Sequence, residues 1–121
     1  MSVFQEIKQN EYLFETKYFF AVFDKFPVSP GHLLIISKSL KKDYFDLDNT
    51  EKKDLIKAIN KGKDIITQYY LPSGYNIGMN CGEDAGQTVM HFHCHIIPRY
   101  KGDMENPRGG IRHCVQGKGY Y

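Results

Sequence analysis

Residues 91–98 read His-Phe-His-Cys-His-Ile-Ile-Pro and contain three of the five histidines in this chain of 121 residues. Side chains on a β-strand point alternately to its two faces, so an extended stretch would place His91, His93 and His95 on one face. The apolar residues between them would lie on the other face. The pattern predicts a row of imidazoles on a strand whose opposite face packs into the core.

Alternation and turn residues predict the elements around this strand. Asp48 followed by Glu51 is a capping-box pattern, and apolar residues at helical spacing follow it, which predicts one long helix ending before 71–74. Short connections favour antiparallel pairing, so we expect an α+β domain with a sheet of about five strands and the helix on one face. The histidines would occupy the other face. Strands are expected at 12–16, 18–24, 33–36, 75–80 and 88–97.

Length and composition restrict the class of protein. A chain of 121 residues, 41% of them hydrophobic, suits a single domain over 1–121 with a small core that burial against a partner would help to stabilise. The formal net charge is only +2 and like charges form no block, which argues against a nucleic-acid polymer or a membrane as the main partner. Three scattered cysteines, no recognisable signal peptide and only short apolar runs predict a cytoplasmic protein.

An imidazole row is typical of metal binding, proton transfer or nucleophilic attack. Strand residues rise about 3.3 Å each, so the Cα atoms of His91 and His95 would lie roughly 13 Å apart, too far to share one tetrahedral ion without a bend. An adjacent His-x-His pair with ligands from elsewhere could hold a metal. A metal-dependent hydrolase therefore stays open as an alternative, as does a non-catalytic nucleotide-binding or interaction protein.

Small and polar residues beside the row favour a phosphate site. Gly82 and Gly86 would let backbone amides approach an anion, and the hydroxyl of Thr88 can donate to it. Asn80 would face the histidines if its strand pairs with theirs. Because neutral imidazole is a good nucleophile towards phosphorus and a neighbouring imidazole can act as an acid, covalent catalysis at a phosphate is the leading interpretation.

Residues 86–99 resemble the signature of the histidine triad (HIT) superfamily, His-φ-His-φ-His-φ-φ, where φ is apolar. Residues 23–36, which contain Asp, then Pro, then Pro-Gly-His before an apolar strand, resemble the family's upstream block, and 80–87 also fits. The tail 106–112 resembles a bacterial-type branch similar to diadenosine tetraphosphate hydrolases. Members of the superfamily are nucleotidyl hydrolases and transferases.

The resemblance implies a nucleotide hydrolase or transferase that cleaves at the α-phosphate of a nucleoside phosphoramidate or dinucleoside polyphosphate. It implies His93 as the nucleophile that forms a nucleotidyl-histidine intermediate, and His95 as the residue that meets the leaving group. It further implies that His32 supports the network and that His91 orients the nucleophile through its carbonyl. This chemistry requires no metal or other cofactor.

The resemblance also implies how a nucleotide, most simply an adenine nucleotide, would bind. Asp24 would hold the ribose hydroxyls. Apolar residues near the N-terminus, with Val22 and Phe23, would form the wall of the base pocket. Contacts to phosphate or leaving group are implied for Asn80, Gln87 and Thr88.

Family members are typically homodimers, so the resemblance implies a sheet that extends across a homodimer, with 99–121 reaching the partner's site. Basic residues of this segment would meet distal phosphates there, unless the segment is simply a solvated tail. Some branches carry N-terminal cysteines that bind zinc. Residues 1–4 read Met-Ser-Val-Phe and lack them, so no structural zinc is expected.

Overall fold

The fold is one antiparallel sheet of five strands with one main helix, and the computed structural model describes residues 2–121. The strand order is β1-β2-β3-β5-β4. The strands are β1 (Phe14–Glu15), β2 (Phe19–Phe23), β3 (Leu33–Ser37), β4 (Gly74–Gly78) and β5 (His93–Arg99), and the helix is α1 (Asn49–Tyr69). This architecture confirms the α+β class, and no helix within 2–121 is long and apolar enough to cross a membrane.

The helix begins at the capping box that the sequence predicts. The Asp48 carboxylate accepts a hydrogen bond from the amide of Glu51 at 2.8 Å, and the Glu51 carboxylate accepts one from the amide of Asp48 at 2.9 Å. Two of the amides left free at the helix N-terminus are thus satisfied. The helix ends at Tyr69. Leu71-Pro72 follows directly after the C-cap, and a proline disfavours the helical conformation of the residue before it, so the helix does not continue.

The two faces of the sheet carry different layers. On one face, β3 and β5 pack under α1 through apolar side chains that include Leu33, Ile35, Cys94 and Ile96. On the other face, a smaller cluster around Leu34 and Ile36 packs against the N-terminal segment. Because β3 is buried on both faces, it lies inside the sheet, as its continuous apolar run predicts.

The histidine strand starts later than the sequence predicts. We expected 88–97, but β5 begins at His93, and residues 88–92 form a bend. In this bend the amide of Phe92 donates to the Lys41 carbonyl at 2.6 Å, and its carbonyl accepts from the amide of Ser37 at 3.3 Å. These long-range bonds replace a regular ladder, so His91 lies just outside the strand. β4 also differs, beginning and ending slightly earlier than 75–80.

Gly62 lies where α1 approaches the sheet closely. A Cβ added there would lie 2.7 Å from Ile96 Cδ1 and 3.3 Å from Leu33 Cδ2. We expect Gly62→Leu to lower the free energy of unfolding by about 1–3 kcal/mol, because overpacking outweighs the better helix propensity of leucine. Urea unfolding measures this. Asn60→Leu, at an exposed position of the same helix, should change stability by less than about 0.5 kcal/mol, and an equal loss in both variants would contradict the interpretation.

Candidate active site

His93, the first residue of β5, presents one ring nitrogen with a free lone pair. Its Nδ1 lies 2.8 Å from the backbone oxygen of His91. A carbonyl oxygen can only accept, so Nδ1 carries the proton and the neutral ring keeps its lone pair on Nε2. The side chain is partly exposed, so this nitrogen can meet a substrate.

His91 is held at both ring nitrogens and is only 1% exposed. Its Nε2 lies 2.7 Å from the backbone oxygen of Ser37, and its Nδ1 lies 2.6 Å from the hydroxyl oxygen of Ser2. Since the carbonyl only accepts, Nε2–H donates to it and Nδ1 accepts from the hydroxyl. Burial lowers the pKa of His91 below its ordinary value of 6.5, which favours this neutral form.

His32 and His95 form a hydrogen-bonded pair with a fixed direction. The amide of Val28 donates to His32 Nδ1 at 3.0 Å, so the proton of the neutral His32 ring is on Nε2. This Nε2 lies 2.9 Å from His95 Nδ1, which therefore accepts, and the proton of His95 is on its own Nε2. Burial, assisted by His93 and His32, lowers the pKa of His95 to about 4. At neutral pH His95 thus offers an uncharged N–H donor.

The rings of His93 and His95 lie side by side, with centroids 5.2 Å apart and planes at 65°. One ring offers a lone pair at Nε2, and the other offers an N–H at Nε2. This is the combination that displacement at phosphorus requires, with a nucleophile for the phosphorus and a donor for the departing group.

Asp24 follows β2 and borders the histidines. One carboxylate oxygen lies 3.5 Å from His32 Nε2, and the other accepts the amide of Phe26 at 2.9 Å. The nearby negative charge acts to raise the pKa of His32, but burial has the larger effect and lowers it. The carboxylate thus lies at the edge of the site with acceptor capacity left for a ligand.

A cavity of about 760 Å³ opens on the histidine side of the sheet, between the N-terminal segment and the end of β2. Val22, Phe23 and Asp24 line it on one side, and Phe4 lines it on the other. The ring centroid of Phe4 lies 4.9 Å from that of His93. The cavity therefore contains Asp24 in its wall and meets the histidines through Phe4, and apolar side chains dominate its walls.

Gln87 holds the connection between β4 and β5. Its side-chain oxygen accepts from the amide of Gly82 at 2.8 Å, and its side-chain nitrogen donates to the carbonyls of Lys42 at 2.6 Å and Val89 at 3.2 Å. The residue is only 3% exposed. In this arrangement Gln87 shapes the loop from within.

Asn80 and Thr88 lie at the two ends of this loop, and both are exposed. Between them, Gly82 has a φ of 100° and Gly86 a φ of 94°. Side chains other than glycine rarely adopt such angles, so the path of the loop depends on these two positions. The loop thereby leaves the two polar side chains accessible to a ligand.

The sequence matches the family model described as the HIT domain over residues 5–102. The match covers all five strands of the sheet and the whole of α1. The chain belongs to the HIT domain family.

Relatives of this HIT domain include proteins named as dinucleoside polyphosphatases. A bis(5'-adenosyl)-triphosphatase from Dictyostelium discoideum is 37% identical over 100 residues, which cover 83% of this chain and 67% of that protein. An asymmetrical bis(5'-nucleosyl)-tetraphosphatase from Schizosaccharomyces pombe is 38% identical over 95 residues, covering 78% of this chain and 52% of that protein. The chain thus spans about two thirds of the first relative and about half of the second.

A solved structure has the same fold. It is the Plasmodium falciparum diadenosine triphosphate hydrolase in complex with Cyclomarin A. It matches this HIT domain with a TM-score of 0.75 and 35% identity, and the match covers 83% of this chain and 66% of that chain. The likeness supports the assignment of the sheet and helix to the HIT fold.

The HIT domain brings most of the sequence-predicted residues together. His93, His95, His32 and Asp24 form one continuous cluster, and His91 adjoins it through its carbonyl. Gln87 differs, because its polar atoms bond to the protein instead of facing the cavity. Val22 and Phe23 line the cavity, whereas Asn80 and Thr88 lie in the loop between β4 and β5, which does not line it.

Sequence reasoning missed Ser2 and the carbonyl of Ser37 as partners of His91. Ser2 and Gln5 form a capping box at the start of a 3₁₀ turn, Val3–Glu6. The spacing Ser-x-x-Gln is a recognisable signal for such a turn. It does not reveal that the turn lies over the histidines, because the contact joins residues 89 positions apart.

The hydrogen bonds of His32 also bear on the alternative that this HIT domain is a metal-dependent hydrolase. Ligand atoms of Asp24, His32 and His95 lie within 4.8 Å of one another, a different set from the adjacent pair on the strand. To bind a cation, His32 Nε2 would have to give up its proton, while its Nδ1 already accepts from Val28. A neutral imidazole has only one lone pair, so this hydrogen-bond pattern opposes metal binding.

The buried histidines make the stability of the HIT domain depend on pH. Burial lowers the pKa of His32 and His91 below 6.5 and that of His95 to about 4. Below pH 6.5 the unfolded chain therefore binds more protons than the folded one, and stability falls as the pH drops towards 4. We expect the urea midpoint to be lower at pH 5.5 than at pH 7.5. His95→Asn should weaken this dependence, and a wild-type midpoint that does not change would contradict it.

Proposed function

We propose that this HIT domain is a nucleotidyl hydrolase or transferase that acts at the α-phosphorus of a dinucleoside polyphosphate or nucleoside phosphoramidate. One observation carries the proposal. The lone pair on His93 Nε2 and the N–H of His95 belong to neighbouring rings, and Phe4 separates His93 from a mainly apolar cavity. This arrangement supports covalent catalysis by an imidazole.

The first step forms one bond and breaks one. His93 Nε2 donates its lone pair to the α-phosphorus, and the bond from phosphorus to the leaving group breaks, with its electron pair going to the leaving group. The resulting nucleotidyl-imidazolium keeps its Nδ1–H bonded to the carbonyl of His91. The N–H of His95 donates a hydrogen bond to the departing atom.

In the second step water attacks the phosphorus on His93. The phosphorus–nitrogen bond breaks, its electron pair returns to Nε2, and the proton of the water passes to solvent. The products are a nucleoside monophosphate and the regenerated imidazole. Another acceptor in place of water would give transfer in place of hydrolysis.

The protonation of His95 favours a phosphoanhydride substrate. A neutral imidazole that receives a hydrogen bond at Nδ1 from His32 can donate a hydrogen bond, but loss of its proton would leave an anion in a buried site. A nucleoside di- or triphosphate departs as an anion and needs only the hydrogen bond. An amine leaving group must be protonated, so a phosphoramidate would have to obtain that proton from solvent.

The cavity supports a nucleoside site. We assign the base to the apolar walls formed by Phe4, Val22 and Phe23, and the ribose hydroxyls to the carboxylate of Asp24. Adenine is the proposed base, because two relatives are named for adenosyl or diadenosine substrates. Asn80 and Thr88 would contact the phosphates, and Gln87 would contribute by holding the loop between them.

Product analysis tests this function. The protein is incubated separately with diadenosine triphosphate, diadenosine tetraphosphate and adenosine phosphoramidate, with and without a chelator, and the nucleotides are separated by chromatography. We expect AMP plus ADP from the triphosphate, AMP plus ATP from the tetraphosphate, and no effect of the chelator. Binding without turnover would favour the non-catalytic alternative, and loss of turnover with the chelator would favour the metal-dependent one.

We further propose that residues 1–121 form a single domain that assembles as a homodimer. β4 is an edge strand of the sheet, and Ile77 on β4 and Ile56 on α1 are both exposed. An apolar cavity of about 480 Å³ also lies along α1, next to Met79. A second copy could extend the sheet and cover this surface.

The segment 99–121 would then lie close to the interface, because Ile111 lies near β4: a Cβ added at Gly78 would be 3.8 Å from its Cδ1. From there it could reach the partner's site. Sedimentation equilibrium is expected to give twice the chain mass of 14.0 kDa. A monomer at micromolar concentration would contradict the assembly.

The cysteines support a reducing compartment, and we propose the cytoplasm. Cys81, Cys94 and Cys114 are all free thiols. Burial raises the pKa of Cys94 to about 12, so this thiol is inert and acts as an apolar filler of the core. Unpaired thiols of this kind are typical of reducing compartments.

A further inference from the structure

The N-terminal turn touches two histidines of the triad. Ser2 is the N-cap of the turn Val3–Glu6, and its hydroxyl oxygen lies 2.6 Å from His91 Nδ1. The ring of Phe4 contacts His91 and His93 edge-on, with centroid distances of 5.6 Å and 4.9 Å. The turn therefore contacts both His91 and His93, so a change in the turn can alter the position of either ring.

The Ser2 hydroxyl makes two hydrogen bonds of opposite direction. Its oxygen accepts the amide of Phe4 at 3.2 Å, which caps the turn. Its proton is donated to His91 Nδ1, because His91 Nε2 already donates to the carbonyl of Ser37. Only a group that both accepts and donates can fill this position, whereas the cap alone requires only an acceptor.

We propose that Ser2 is a positioning residue for the nucleophile: its hydroxyl holds the His91 ring in the Nε2–H tautomer and thereby fixes the His91 carbonyl that orients His93. The ring is tied at both nitrogens, so neither rotation nor a ring flip is possible without breaking a buried hydrogen bond. The same residue supplies the carbonyl that accepts the proton of His93 Nδ1. The catalytic part of this inference rests on the proposed function of His93.

Variants at position 2 separate this role from capping. Ser2→Ala removes both hydrogen bonds, and Ser2→Thr keeps both. Ser2→Gly removes the donor to His91, while glycine is tolerated at an N-cap almost as well as serine. We expect kcat to fall roughly tenfold in the alanine and glycine variants, with KM within about twofold of wild type, and to be restored in the threonine variant. A residue that only caps the turn would leave the glycine variant as active as wild type, which would overturn the proposal.

Gln5 supplies a matched control in the same turn. Its side-chain oxygen accepts the amide of Ser2 at 2.7 Å and completes the capping box without touching a histidine. Gln5→Ala should therefore lower the thermal midpoint less than Ser2→Ala, because no bond to a buried group is lost, and leave kcat within twofold of wild type. If kcat falls equally in both variants, the effect comes from the turn and the proposal is overturned.

Nitrogen NMR of the histidine rings tests the inference independently of turnover. Long-range proton–nitrogen correlation at pH 7.5 should show a bare Nδ1 and a protonated Nε2 for His91 in the wild type and in Ser2→Thr. In Ser2→Ala and Ser2→Gly the His93 ring should become a mixture of tautomers. A protonated His91 Nδ1 in the wild type, or an unchanged His93 in Ser2→Ala, would overturn the proposal. If the wild type releases no AMP, the proposed function fails, while these spectra still decide the role of Ser2.

Discussion

Replacing His93 with alanine is expected to lower kcat for AMP release from diadenosine polyphosphates by about 10⁴-fold or more, because no other described group offers a free lone pair at this position. Residual activity would come only from binding and from the donors around the phosphate. Single-turnover assays with excess enzyme measure the loss directly, since substrate binding is then saturated. Activity within tenfold of wild type would remove His93 from the role of nucleophile.

Two controls separate lost chemistry from lost structure. His93→Gln can still donate a hydrogen bond from its side chain but has no nucleophilic nitrogen, so it should be as inactive as the alanine variant. Both variants should bind AMP within a few-fold of the wild-type affinity, because the cavity and Asp24 are unchanged. His93→Gly leaves room for free imidazole, and added imidazole should restore AMP release in proportion to its concentration.

Replacing His95 with alanine should lower kcat by about 10²–10³-fold, the range found when a single hydrogen-bond donor to developing charge is removed. The loss has a chemical signature. With aryl esters of AMP, the loss of kcat in His95→Ala relative to wild type should be small when the leaving phenol is acidic. This loss should grow as the leaving group becomes more basic. A deficit that is the same across the series would show that His95 supports the fold or the binding of the nucleotide, and not the departure of the leaving group.

Local signals determine much of this fold. The capping box at Asp48 and Glu51 specifies where α1 begins, and the continuous apolar run of β3 specifies a strand buried on both faces. Alternation in 91–98 predicts correctly that Cys94 and Ile96 pack under the helix. These features depend on neighbouring residues, so the sequence reveals them without knowledge of the tertiary structure.

Contacts between distant segments were beyond such reasoning. The late start of β5 follows from hydrogen bonds of Phe92 to Ser37, the last residue of β3, and to Lys41 in the segment that follows. Gln87 turns inward because the carbonyl of Lys42 lies within reach of its amide. Ser2 meets His91 only because the N-terminal turn covers the histidine face. None of these partners has a fixed spacing in the sequence, so no periodic pattern could reveal them.

The stereochemical course at phosphorus tests the central claim most directly. A diadenosine polyphosphate with sulfur at one α-phosphorus of known configuration is hydrolysed in water enriched in ¹⁸O, and the configuration of the thio-AMP product is determined. Displacement by His93 followed by displacement by water inverts phosphorus twice, so we expect overall retention. Overall inversion would mean that water attacks the substrate directly, and it would contradict a nucleotidyl-histidine intermediate.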